Sequence, residues 1–162
     1  MDRVYSPWRS DYFSSKIDEC VFCQISLAKE SDEENRVFYR DDICFALMNR
    51  YPYTPGHFMI IPHLHIDSPE ILPQEHWLHI HKLSQKAIPL LYEYGASGIN
   101  LGMNIKQAGG AGIPEHIHLH ILPRYMGDTN FFTTIAEART YGVDFDDVYQ
   151  RIKELSKKYF EE

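Results

Sequence analysis

The chain has 162 residues, 44% of them apolar and 14% aromatic, which excludes a disordered chain and suffices for one domain with its own core. Its net charge of −7 excludes the broad basic face of a nucleic-acid binder, although a locally positive pocket can still take a small polyanion. No apolar run approaches the ~20 residues of a bilayer span, the charged stretch from Met1 to Tyr12 is no signal peptide, and three cysteines make no disulfide framework; the cytoplasm is the expected compartment, with no membrane or nucleic-acid partner.

Taken in order, residues 1–18 read as a polar and aromatic arm. Cys20-Val21-Phe22-Cys23 follows, with the spacing of a zinc knuckle. A redox pair or two buried thiols are the alternatives, and no thioredoxin-like pattern surrounds the pair. Val37 to Arg40 and Ile43 to Met48 read as two strands joined by a tight hairpin at Asp41-Asp42. Asn49 to Gly56 holds two prolines and a glycine and reads as a turn before a strand over His57 to Ile61. Ser68 and Pro69 have the chemistry of a helix N-cap and first position. Trp77, Ile80, Leu83, Ala87, Leu90, Leu91 and Tyr94 then give one buried helical face. Pro89 should kink this helix and Gly95 should cap it. His76, His79 and His81 share no clean face and read as surface residues. Ile99 to Asn104 reads as a strand, 109–112 as a glycine-rich loop, and His116 to Leu122 as another strand. Phe145, Val148, Tyr149, Ile152, Leu155 and Tyr159 mark a terminal amphipathic helix capped by Asp144. The pattern predicts an α+β domain.

The informative segment is His116-Ile117-His118-Leu119-His120-Ile121-Leu122. A strand turns alternate side chains to opposite faces, so the three imidazoles share one face and the apolar residues the other. The buried apolar face fixes the register and so holds the imidazoles in a row. An ordinary amphipathic strand and a catalytic metal site are alternatives, but the row itself holds no acidic residue to serve a catalytic metal. Neutral imidazole is also a good nucleophile near neutral pH, and its neighbours can donate hydrogen bonds to phosphate oxygens.

This run resembles the signature of the histidine triad (HIT) superfamily. Phe45 to Arg50 followed by Pro55-Gly56-His57 resembles the nucleotide-binding half of the same family. Pro123-Arg124 resembles its fragile-histidine-triad branch, and 108–115 and 127–131 resemble bacterial members near diadenosine tetraphosphate phosphorylase. The resemblance runs from about Ser6 to Thr134. It implies a HIT-like fold: an antiparallel sheet with one long helix and a C-terminal helix. It implies one domain over 1–162, with an arm (1–18), a core (19–134) and a helical extension (135–162).

The resemblance also implies roles. His118 would attack an α-phosphate and form a nucleotidyl-histidine, which requires its other nitrogen to keep a proton, with a backbone carbonyl as the expected partner. His120 and His57 would donate to phosphate oxygens; His57 alone reads as a turn histidine. Asn49 would bind the ribose, a reading about even with a turn asparagine. Leu47, Phe45 and Ile25 would line the base slot or simply fill core. Asn104 stands where the fragile-histidine-triad branch carries glutamine against the phosphate and leaving group, and the loop beyond it is one residue longer here. The loop glycines, Gly112 among them, would bring backbone amides to a polyphosphate. Lys106 and Arg124 could neutralise further phosphate charge, though single basic residues are usually solvated. The cysteine pair would be completed as a structural zinc site by His65 and His116, with His63 competing for His65; Cys44 reads as a small buried hydrophobe. No organic cofactor is implied.

The implied substrate is a dinucleoside polyphosphate such as diadenosine tetraphosphate, cleaved by water or by inorganic phosphate. Alternatives are a phosphoramidate or acyl-nucleotide hydrolase, a dinucleotide-binding sensor and a zinc-dependent hydrolase. A homodimer is expected from the family.

Overall fold

In the computed structural model, the described residues are 20–129 and 141–161. The expected N-terminal arm lies outside them, as do 130–140, which include the end of the expected core and the start of the expected extension.

Five strands form one antiparallel sheet: β1 (Val37–Arg40), β2 (Cys44–Met48), β3 (Phe58–Pro62), β4 (Gly98–Met103) and β5 (Leu119–Arg124), in spatial order β1-β2-β3-β5-β4. A short helix α1 (Val21–Leu27) precedes them, α2 (Gln74–Tyr94) links β3 to β4, and α3 (Phe145–Phe160) follows β5. The α+β, HIT-like architecture agrees with the sequence reading. Among the described residues, no helix is long and apolar enough to cross a membrane.

Every residue of β2 and β3 is buried, and strand alternation sorts them into two cores. Cys44, Ala46, Met48, Phe58 and Ile60, with Ile117, Leu119 and Ile121, pack under the long helices. Phe45, Leu47, Met59 and Ile61 face the other way, with Phe22 and Val37. The histidines on this second face are therefore held by apolar residues pinned on the first. The terminal helix packs its Val148, Tyr149, Ile152, Leu155 and Phe160 into the larger core beside α2 and β1. Its Asp144 carboxylate accepts from the N–H groups of Asp146 and Asp147, the expected cap.

Two local expectations change. Ser68-Pro69 opens only a single 3-10 turn, Pro69–Ile71, and α2 begins at Gln74. Pro73 is the reason: the residue before a proline is driven out of the helical region, and Leu72 is extended at ψ 133. Helix α2 then runs on through Pro89 to Gly95, whose left-handed φ of 117 lets its N–H bond the Leu91 and Tyr92 carbonyls. The histidine strand also begins later than expected. His116, Ile117 and His118 precede β5, and the Ile117 N–H bonds the Ile66 carbonyl, outside the sheet.

Candidate functional site: a fixed row of neutral imidazoles

The turn before β3 places His57. Gly56 sits at φ 84, and a Cβ there would come within 3.0 Å of the Tyr94 ring and 3.2 Å of Pro123. The Thr54 hydroxyl donates to the Pro123 carbonyl at 2.7 Å, and the Tyr125 hydroxyl donates to that of Pro55 at 2.8 Å. The turn is thereby tied to the end of β5, and His57, fully buried, is carried to His120. On β5, His120 lies opposite Met59 of β3 and Gly102 of β4.

The hydrogen bonds assign each proton. The Tyr53 N–H donates to His57 Nδ1 at 3.2 Å, so the His57 proton is on Nε2. That proton goes to His120 Nδ1 at 3.0 Å, which leaves His120 with its own proton on Nε2. His118 Nδ1–H donates to the His116 carbonyl at 2.8 Å, so His118 Nε2 is a lone pair. The rings of His118 and His120 stand 4.9 Å apart at 76°. The site thus sets one imidazole lone pair beside one imidazole N–H. In this structure the His57 donor goes to His120.

Burial keeps all these rings neutral. It pushes His57 down to about 3 and His120 to about 4, helped in each case by neighbouring imidazoles. His118 is lowered by burial too, against the opposing His116 carbonyl. For His57 and His120 the folded value lies below the unfolded value near ~6.5. Between those values the unfolded chain binds more protons, so stability is complete above ~6.5 and is lost as pH falls towards 4. Thermal midpoints should accordingly be flat above pH ~7 and fall below ~6.5. In His120→Gln the acid slope should be shallower; an unchanged slope would assign the acid lability to other groups.

The remaining expected site residues divide. Asn49 accepts the Tyr51 N–H at 2.9 Å, as a turn asparagine does, while its amide nitrogen lies 3.4 Å from the His57 ring. Leu47 and the half-buried Ile25 belong to the smaller core beside the histidines. Phe45 is 0% exposed, stacked on His63 at 5.4 Å with the Arg40 guanidinium 5.1 Å from its ring. Asn104 donates to the Gly110 carbonyl at 3.4 Å within the glycine-rich loop, and Gly112 is exposed. Arg124 is held by Asp128 at 2.6 and 2.8 Å and by Asn100 at 3.0 Å, and Lys106 pairs with Asp67. Neither cation is free surface.

Cys20, Cys23, His65 and His116 converge, their donor atoms all within 4.8 Å of one another. Cys20 Sγ lies 3.3 Å and Cys23 Sγ 3.6 Å from His116 Nδ1, and Cys23 Sγ lies 3.1 Å from His65 Nδ1. These spacings approach the edges of a tetrahedron with metal–ligand bonds of about 2.0–2.3 Å. His116 Nε2–H donates to the Pro62 carbonyl at 2.9 Å, which aims its Nδ1 lone pair at the sulfurs. Burial, then Cys20, pushes the Cys23 thiol up to about 11; a dication at the cluster would reverse that penalty. His63 does not compete, because it accepts from Ser26 Oγ at 2.7 Å and donates to the Asp41 carbonyl at 2.9 Å.

Two features escaped the sequence reading. Phe22, between the two cysteines, lies 5.2 Å from the His118 ring and 5.5 Å from that of His116, roofing the row. Its signal was its place inside the cysteine pair. His79 is no free surface residue: its Nε2 meets Asp41 Oδ2 at 2.6 Å. Asp41 also accepts from Tyr39 at 2.7 Å and from the N–H groups of Ile43 and Cys44, both at 2.8 Å. Against the cost of burial, these bonds hold its carboxyl below the usual carboxylate range. With two donors on each oxygen, Asp41 clasps the hairpin to α2, although Cys44 and His79 are close enough to share an ion with it.

A five-stranded antiparallel sheet with three alternate histidines on β5 and the segment leading into it, and a fourth from the turn before β3, defines a histidine triad enzyme. The family model for the HIT domain matches residues 30–127, over half the chain, and the chain belongs to that family. It is 31% identical over 150 residues to a Mycobacterium tuberculosis protein named AP-4-A phosphorylase, covering 86% of this chain and 76% of that one. It is 30% identical over 94 residues to a Saccharomyces cerevisiae bis(5'-adenosyl)-triphosphatase, covering 56% of this chain and 44% of that one. A zinc-bound histidine triad family protein from Mycobacterium smegmatis has a crystal structure that superposes with a TM-score of 0.71 at 26% identity, covering 89% of this chain and 98% of that one.

Proposed function

We propose that this enzyme cleaves dinucleoside polyphosphates at an α-phosphate through a nucleotidyl-histidine at His118. The observation that carries the reading is the His118 tautomer: Nδ1–H anchored on the His116 carbonyl, Nε2 free. The His118 Nε2 lone pair attacks phosphorus, a P–N bond forms, and the bond from phosphorus to the bridging oxygen of the leaving nucleotide breaks. The His120 N–H stabilises the charge gathering on the phosphate oxygens, and His57 holds His120 in that tautomer. Water or inorganic phosphate then displaces the nucleotidyl group, and the electron pair of the P–N bond returns to Nε2. Asn49 would bind the ribose, with Leu47 and Ile25 against the base and Asn104 and the Gly112 backbone towards the leaving group. The Mycobacterium tuberculosis relative named AP-4-A phosphorylase supports the substrate class.

Cys20, Cys23, His65 and His116 would hold a structural zinc, and the donor set fits one. With all four positions taken by protein, such an ion would supply rigidity to α1 and His116 and no open coordination position. The zinc-bound Mycobacterium smegmatis neighbour supports this assignment. Three cysteines outside any disulfide suit a reducing cytoplasm, and exposed Leu101 on edge strand β4 suits pairing with a second copy of the chain.

The test is product analysis on diadenosine tetraphosphate with and without inorganic phosphate. ADP plus ATP, formed only with phosphate, is the result expected of a phosphorylase; AMP plus ATP in both conditions is that of a hydrolase. No turnover in either condition, with turnover of adenosine 5'-phosphoramidate, would replace the proposed substrate class.

A further inference from the structure

The smaller apolar core, against which the proposed base site lies, is beside β2, His120 is on β5 with His118 just before it, and β4 with the loop to Glu115 lies beyond them. A nucleotide with its base against that core and its α-phosphate at His118 would send the rest of a polyphosphate towards β4 and that loop. Between Gly98 and Glu115 the sequence has a single cation, Lys106. The chain as a whole carries −7, so a highly charged leaving group needs a local positive partner there. Arg124, at the far end of β5, is bound by Asp128 and Asn100.

Lys106 is held in an unusual way. Its backbone is at φ 60 and ψ 172, a region that glycine adopts freely and other residues avoid. The next turn, Gln107–Gly109, closes on Gly110 at φ 90, so a flexible joint lies beside the strained one. The side chain crosses to Asp67, the neighbour of Ile66, whose carbonyl takes the Ile117 N–H between His116 and His118. The ammonium thus waits beside the triad segment on an exposed carboxylate. An exposed pair of this kind is weak, and a polyphosphate can displace the carboxylate.

We propose that Lys106 is a specificity-determining residue that leaves Asp67 for the outer phosphates of the substrate, and so favours long polyphosphate leaving groups over short ones. This rests on the proposed dinucleoside polyphosphate activity. A purely structural pair would act on all substrates alike.

The experiment compares kcat/KM for diadenosine tetraphosphate with that for the p-nitrophenyl ester of AMP, whose leaving group carries no phosphate. Lys106→Met removes the charge and keeps the backbone demand; Lys106→Gly removes the charge and relieves it. Both should lower the ratio of the two kcat/KM values about tenfold, and Lys106→Arg should restore most of it. The wild-type ratio should fall with added salt, and the ratio in both uncharged variants should not. Equal losses on both substrates, or an unchanged ratio, would overturn the role of Lys106 while leaving the activity standing. A wild-type enzyme that turns over the ester but not the tetraphosphate would end both readings.

Discussion

His118→Asn should lower kcat on dinucleoside polyphosphates by about 10⁴-fold or more, close to 5.5 kcal/mol of barrier. Asparagine can still donate an N–H to the His116 carbonyl, so the contact that orders this segment is retained. What disappears is the lone pair. His118 is 4% exposed, and neighbouring rings leave little room for a water to act from its place. The nucleotide Kd should move by less than about threefold, because the proposed contacts to base, ribose and outer phosphates come from other residues. A P–N bond to imidazole is labile in acid and survives base, so rapid alkaline quench of wild type with limiting substrate should trap a protein adduct of one nucleotidyl mass, absent from His118→Asn. An asparagine variant that keeps a tenth of wild-type kcat would show that the nucleophile lies elsewhere. His57→Gln should be milder, since His57 acts on His120 through one hydrogen bond at 3.0 Å and presents no donor of its own.

The parts of this site legible in the sequence are those that depend on period. Alternation along 116–122 placed His118 and His120 on one face and Ile117, Leu119 and Ile121 on the other, and the sheet separates them in that way. The buried positions Ile80, Leu83, Ala87, Leu90 and Leu91 of α2 recur as helical spacing required. Tautomers were not legible, because they are set by partners distant in sequence or on the backbone. His57 and His120 meet across 63 positions, and only the Tyr53 N–H on the far side of His57 decides which ring donates. Phe45 illustrates the opposite limit. An aromatic residue in the right strand suggested a wall for the base or plain core, and the sequence did not show that Arg40 bends back to the Ile25 and Ser26 carbonyls and covers its ring. His79 likewise looked like solvated helix surface, until the hairpin brought Asp41 to it. Periodicity reports which face a residue takes; it does not report which distant group fills the space opposite.

The cysteine cluster carries the second large effect, because it is wired to His118, the proposed nucleophile. His116 is gripped at both ends: Pro62 takes its Nε2–H, and Nδ1 faces Cys20 and Cys23. The carbonyl of this same residue orients His118. Cys23→Ser should therefore reduce bound zinc from about one ion per chain to a small fraction, and reduce stability by about 4 kcal/mol. For a chain of this size that is a drop in Tm of roughly 8–16 °C. It should also lower kcat about tenfold at a temperature where the variant is still folded, as loss of an outer support does in metal sites. His63→Ala is the control: His63 bonds Ser26 and Asp41, so its loss should leave zinc content unchanged. The two readouts can be separated. A variant that loses zinc and stability but keeps its kcat would make the cluster a brace for α1 alone. A Cys23→Ser protein that still binds one zinc tightly would remove the cluster from metal binding altogether, and with it the reason for a thiol pair facing the first histidine of the row.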